Sequence, residues 1–106
     1  MSRVVAMRKI RDPLGDRSLT ATIISSGALE IHGHDLGGTA AVSGDGEYEW
    51  FKAFPVQMLP DLLRLLGAET TEDILDVIQA RYCGAGADVF ERLVRESDLK
   101  PDLFVI

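Results

Sequence analysis

The chain has 106 residues, 46% of them hydrophobic and 26% charged, which suits one globular domain with a single core. No apolar run approaches the ~20 residues of a membrane helix, no secretory h-region follows the first basic residues, and the single Cys83, which excludes an internal disulfide, fits a reducing cytoplasm. The net charge of −6 is uneven, because five basic and two acidic residues in 1–18 give +3, whereas six basic and fifteen acidic residues in 19–106 give −9. Such an acidic body repels nucleic-acid phosphates and steers instead towards a basic protein partner.

In chain order, the first half reads as strands. Val4 to Ile10 is a strand with mixed faces, and Asp12-Pro13-Leu14-Gly15-Asp16 has the composition of a turn. Leu19 to Ser25 is rich in β-branched residues. Ser26-Gly27 reads as a hairpin turn into a strand from Ala28 to His34. Along that strand Leu29 and Ile31 share one face, and Glu30, His32 and His34 share the other. Gly37-Gly38 and Gly44-Asp45-Gly46 mark two bends. Glu47 to Phe54 is the most aromatic strand, with Tyr48, Trp50, Lys52 and Phe54 on one side and Glu47, Glu49, Phe51 and Ala53 on the other. The Trp50 side is expected to be the buried one, with Lys52 snorkelling to an edge.

The second half reads as helices. Leu59, Leu62, Leu63 and Leu66 recur at helical spacing within Val56 to Leu66, Pro60 fits the first turn and Gly67 suits the C-terminal cap. Thr70-Thr71-Glu72-Asp73 reads as an N-cap with acids in the first turn, favourable to the helix dipole, followed by the apolar stripe Ile74, Leu75, Ile78 and Tyr82. Cys83-Gly84-Ala85-Gly86 interrupts that helix, and Asp88 to Ser97 forms a third with Phe90, Leu93 and Val94 inward. Asp102 to Ile106 is apolar enough for a final strand or a packed tail. Strands first and helices after predict an α+β domain over residues 1–106: an antiparallel sheet of four to five strands with three helices on one face.

Few residues suggest chemistry. "CGAGAD" is glycine-rich but follows a helix and lacks a basic neighbour, so it reads as an interhelical connection, not a phosphate loop. Cys83 lies at a helix C-terminus, where the dipole disfavours thiolate. "EIHGHD", residues 30–35, holds both histidines. His32 and His34 on one strand face place their Cα atoms about 6.5–7 Å apart, a spacing that can chelate zinc, but catalysis needs a third ligand. Glu30 lies about 13 Å from His34 along the strand, and Asp35 points the other way. The plainer reading is a solvent-facing strand with Glu30 beside His32 as a charge pair when the imidazole is protonated.

With "EIHGHDLG", "EYEWFKAFPVQMLPDLLRLLG", "DILDVIQARY" and "DLFVI" in order, residues 28–106 resemble a group of small uncharacterised bacterial α+β domains, which are similar to immunity proteins of bacterial toxin systems. Gly33, Asp35, Leu36 and Gly37 match the turn of that pattern, and Tyr48, Glu49 and Trp50 match its acidic aromatic strand. The resemblance implies inhibition of one cognate toxin and carries over no catalytic residue. The expectation is therefore a cytoplasmic, non-enzymatic binding protein without cofactor, engaging a basic partner such as a toxin through Glu30, Glu47, Glu49 and Phe51, with no nucleic acid and no membrane. Its rivals are a small metal-dependent hydrolase centred on His32 and His34, and a homodimer that pairs edge strands.

Overall fold

The computed structural model describes residues 3–12, 15–36 and 47–105. Within them, strands β1 (Val4–Asp12), β2 (Gly15–Ile23), β3 (Leu29–Leu36) and β4 (Glu47–Phe54) precede helices α1 (Leu59–Leu65), α2 (Ile74–Arg81) and α3 (Ala85–Arg95), and β5 (Asp102–Val105) follows. The strands form one antiparallel sheet in sequence order, β1-β2-β3-β4-β5. This is the expected α+β architecture, with the C-terminal apolar stretch returning after the helices to pair with β4. Among the described residues no helix is long and apolar enough to cross a membrane.

The strand limits differ from the sequence reading at several ends, lengthening at some and shortening at others. β1 runs on to Asp12 and β2 starts at Gly15, because these polar ends continue the β1–β2 ladder to the pair Asp12–Gly15. β2 ends at Ile23 because the β2–β3 turn takes over there. Ile24 N–H donates to Ala28 O at 3.0 Å, Gly27 N–H donates to Ile24 O at 2.9 Å, and Gly27 has φ +88°. β3 likewise continues past His34 to Leu36, paired with Glu47. Pro13-Leu14, Gly37-Gly38 and Gly44-Asp45-Gly46 lie outside the described residues.

One face of the sheet carries the core. Val5, Met7, Leu19, Ala21, Leu29, Ile31 and Phe54 are buried there against Leu62, Leu63, Leu66, Ile74, Leu75, Ile78, Phe90 and Val94 of the helical layer. Burial of such side chains contributes about 1.5–3 kcal/mol each and is the main source of stability. The helices lie towards β1 and β2, so Trp50 and Lys52 on β4 are only half-buried, and Leu103 and Val105 on β5 are exposed. Lys52 does not need a remote edge: its Nζ lies 5.4 Å from the Trp50 ring centroid, a cation–π contact. Trp50 in turn lies flat over Gly33, its register partner, where an added Cβ would sit 2.2 Å from the indole.

A β-bulge in β1 explains a contact invisible to local patterning. Between Ala6 and Arg8 the register slips, so Met7 and Arg8 together oppose Leu19 and point to the same face. Met7 enters the core at 1% exposure. Arg8 meets α3, bonding Glu91 at 2.5 Å and also Asp88. Burial alone would lower the Arg8 pKa, but the hydrogen bonds and charges of Glu91 and Asp88 together outweigh it and hold it above the usual arginine value. The bulge also leaves the Met7 carbonyl to accept a 2.7 Å hydrogen bond from Gly84 N–H, which docks the α2–α3 connection onto the sheet.

Helix ends follow from capping. Asp73 is the N-cap of α2 and accepts from Leu75 N–H at 2.9 Å and Asp76 N–H at 3.1 Å. Gly67 closes α1 with φ +76°, its N–H bonded to Arg64 O. α3 begins at Ala85, three residues before the position expected from its apolar stripe. Gly84, at φ +63°, makes the break, and Ala85 and Gly86 already belong to the first turn. The Tyr82 hydroxyl donates to Leu66 O at 2.8 Å and ties α2 to the end of α1.

Candidate functional site

Among the described residues no helix packs on the other face of the sheet, and strand alternation decides what that face displays. Directly paired residues form rows across the strands, and each row lies on one face. The central row is Ala6–Thr20–His32–Phe51–Phe104, crossing all five strands. On one side of it runs Val4–Thr22–Glu30–Ala53–Asp102, and on the other Lys9–Ser18–His34–Glu49. The residues expected on the Glu30 side of β3 and on the Glu49 side of β4 thus share one surface. Glu47 pairs with Leu36 in register, and its side chain lies outside the described ones.

The centre of this face is an ordered polar–aromatic cluster. The His32 ring stacks on Phe51 at 4.4 Å between centroids and 6° between planes, and on His34 at 6.1 Å and 16°. His32 Nε2 lies 2.9 Å from Glu49 Oε2, with both side chains about two-thirds buried. The partner of His32 is therefore Glu49 of the neighbouring strand, not the same-strand Glu30 anticipated from sequence. Glu49 is the diagonal cross-strand neighbour of His32, about 7–8 Å away across the ladder, a gap that its long side chain spans. The fixed ring plane holds Phe51 and His32 as one flat platform.

A shallow groove adjoins the platform. It is lined by Ile24, Glu30, Ala53, Val56, Asp102 and Phe104 among others, with the small Ala53 between the two acidic side chains in its row. Phe104 and Val56 are 58% and 54% exposed. Phe104 was not among the site residues expected from sequence. Its signal was the alternation of "DLFVI", readable only once β5 is known to pair with β4.

The metal question has a geometric answer within these limits. His32 and His34 do project from one face, but one imidazole nitrogen of His32 is engaged by Glu49 and the rings are stacked. Among the described residues no group of three or more His, Cys, Asp or Glu side chains is placed to hold a metal ion. Cys83 lies in the α2–α3 connection, in the helical layer, with Sγ 3.5 Å from Ile78 O. Comparison with protein-family models, with curated proteins and with solved structures finds no match.

Much of the uneven charge is consumed inside the molecule. Arg3 pairs with Asp76 at 2.5 Å and lies 3.7 Å from Asp73 on α2, while Arg8 serves α3. Arg3 and Arg8 thus tie the N-terminal end of the chain to acidic side chains at the start of α2 and on α3. Glu30, Glu49 and Asp102 remain on the helix-free side, where they set the sign of the local field around the platform.

Proposed function

We propose that the protein is a non-enzymatic protein-binding domain that works through its helix-free sheet face, engaging a basic protein partner in the manner of an immunity-type inhibitor. The observation that carries this reading is the row His32–Phe51–Phe104, with His32 and Phe51 stacked, flanked by Glu30, Glu49 and Asp102 and covered by none of the described elements. A stacked aromatic pair loses little side-chain freedom on binding and presents apolar area, as interface anchors do. The carboxylates around it favour encounter with a positively charged surface. Inhibition would then be occlusion: a rigid sheet face laid over a basic active site, with no chemistry performed by the inhibitor. Affinity capture with the full chain tests this. Wild-type protein is expected to retain a basic protein, and Glu30→Lys with Glu49→Lys to lose it by at least about tenfold in affinity. Retention of the same partner by that double variant would sink the reading.

A further inference from the structure

The helix-free face is polarised, and its polarity complements itself. Exposed Lys9 lies on β1 at one side, in the same row as Glu49 on β4 at the other. In the next row the small, exposed Ala6 lies on β1 and the large Phe51 on β4. In the third, Val4, 61% exposed, lies on β1 and Ala53 on β4.

We propose that two copies of this chain pack these faces together about a two-fold axis that lies in the interface, runs along the strands, and passes between β2 and β3. The proposal rests on reading this face as a binding surface and names one occupant of it, a second copy. Such an axis exchanges β1 with β4 and β2 with β3 and preserves position along the strand. It places Lys9 of each copy over Glu49 of the other, Ala6 over Phe51, Val4 over Ala53, and Thr20 over His32. Base meets acid, small meets large, and every contact occurs twice, as an isologous interface requires. Neighbouring placements lose this fit. An axis along β3 sets Glu30 against Glu30 and His32 against His32, and an axis along β2 leaves Phe51 and Glu49 without a facing strand, whereas the proposed axis leaves only β5, with Phe104 and Asp102, outside the contact.

The dimensions agree with sheet-on-sheet packing. β1 and β4 lie about 7 Å on either side of the axis at ~4.8 Å per strand. A crossing of about 30° displaces facing positions there by about one residue, within reach of a lysine side chain. Four strands about seven residues long present roughly 19 by 24 Å, a footprint smaller than the ~800 Å² per partner of a standard interface and suited to a weak, micromolar association. Glu49 would then be held from two sides, by His32 of its own copy at 2.9 Å and by Lys9 of the other.

Sedimentation velocity on the full chain tests this, between about 5 and 200 µM, the range that reports micromolar association. Wild type is expected to dimerise. Lys9→Glu and Glu49→Lys alone should each raise the dimer dissociation constant at least about tenfold, and the double variant Lys9→Glu/Glu49→Lys should return it to within about threefold of wild type. Ala6→Trp, at a position exposed in the single copy, should abolish the dimer while leaving the thermal melt of the monomer in place. A wild type that stays monomeric throughout, a double variant as weak as the singles, or a dimer indifferent to all these changes, as pairing through the β5 edge would be, overturns the proposal. Partner capture by monomeric Lys9→Glu separates the two readings. Capture with no wild-type dimer leaves only the partner reading standing, and a charge-swappable dimer with capture indifferent to Glu30 and Glu49 leaves only the dimer.

Discussion

Phe54 and Phe51 stand three residues apart on β4, and the sheet sends them to opposite worlds. Phe54 is fully buried, edge-on to Phe90 of α3 at 6.4 Å between ring centroids. Phe51 lies half-exposed on the helix-free face, stacked on an imidazole. The helix-covered face is aliphatic, closely packed and joined to three helices. The helix-free face is flat, mixed in polarity, and ordered by ring stacking and one histidine–carboxylate bond. The same backbone therefore supports a face whose side chains hold the fold and a face whose side chains are at liberty to serve recognition.

That division is open to attack by substitution, and the expected costs fall in a definite order. Phe54→Ala should cost about 3–5 kcal/mol, because it empties a fully enclosed site, and urea unfolding should show the loss as a lowered midpoint. Gly33→Ala comes next, at about 1–3 kcal/mol, since the new methyl group must displace the Trp50 indole from the helix-covered side. Trp50 fluorescence should report that displacement in the folded protein. Asp73→Ala removes the N-cap bonds of α2 and should cost about 1 kcal/mol by the same unfolding assay. Phe51→Ala is expected to cost least in stability, about 1 kcal/mol or under, yet to weaken association most. If Phe51→Ala destabilised the fold as much as Phe54→Ala, the separation of a structural face from a recognition face would fail.

The candidate site was legible in part. Period-two alternation was enough to put Glu30, His32 and His34 on one side of β3, and Glu49 and Phe51 on one side of β4. It could not say that these two sides coincide, because that depends on which strands pair and in what register. His32 was consequently matched with Glu30 along its own strand until the β3–β4 register supplied Glu49. Phe104 entered the site only through the pairing of β5 with β4, made after three intervening helices. Arg8 is the clearest case. From sequence it was one of several basic residues near the N-terminus, and the fold turns it into the tie between β1 and α3, over eighty residues away, with the bulge at Met7 aiming both side chains at one face.

What the sequence determined by itself is what short-range geometry controls. The aromatic strand Glu47–Phe54 and its two faces, the leucine helix closed by Gly67, the capped start of α2 and the α+β order all rest on relations spanning a few residues, although only the structure shows that Asp73 is itself the cap and not a first-turn acid. Tertiary structure decided the rest: the place of β5 at the edge of the sheet, the bulge, the descent of Trp50 onto Gly33, the pairing of Arg3 and Arg8 with carboxylates of the helical layer, and the assembly of one helix-free face from five strands. These depend on contacts between distant segments, whose closure has an entropic cost recovered only when many form together, so no local pattern encodes them singly.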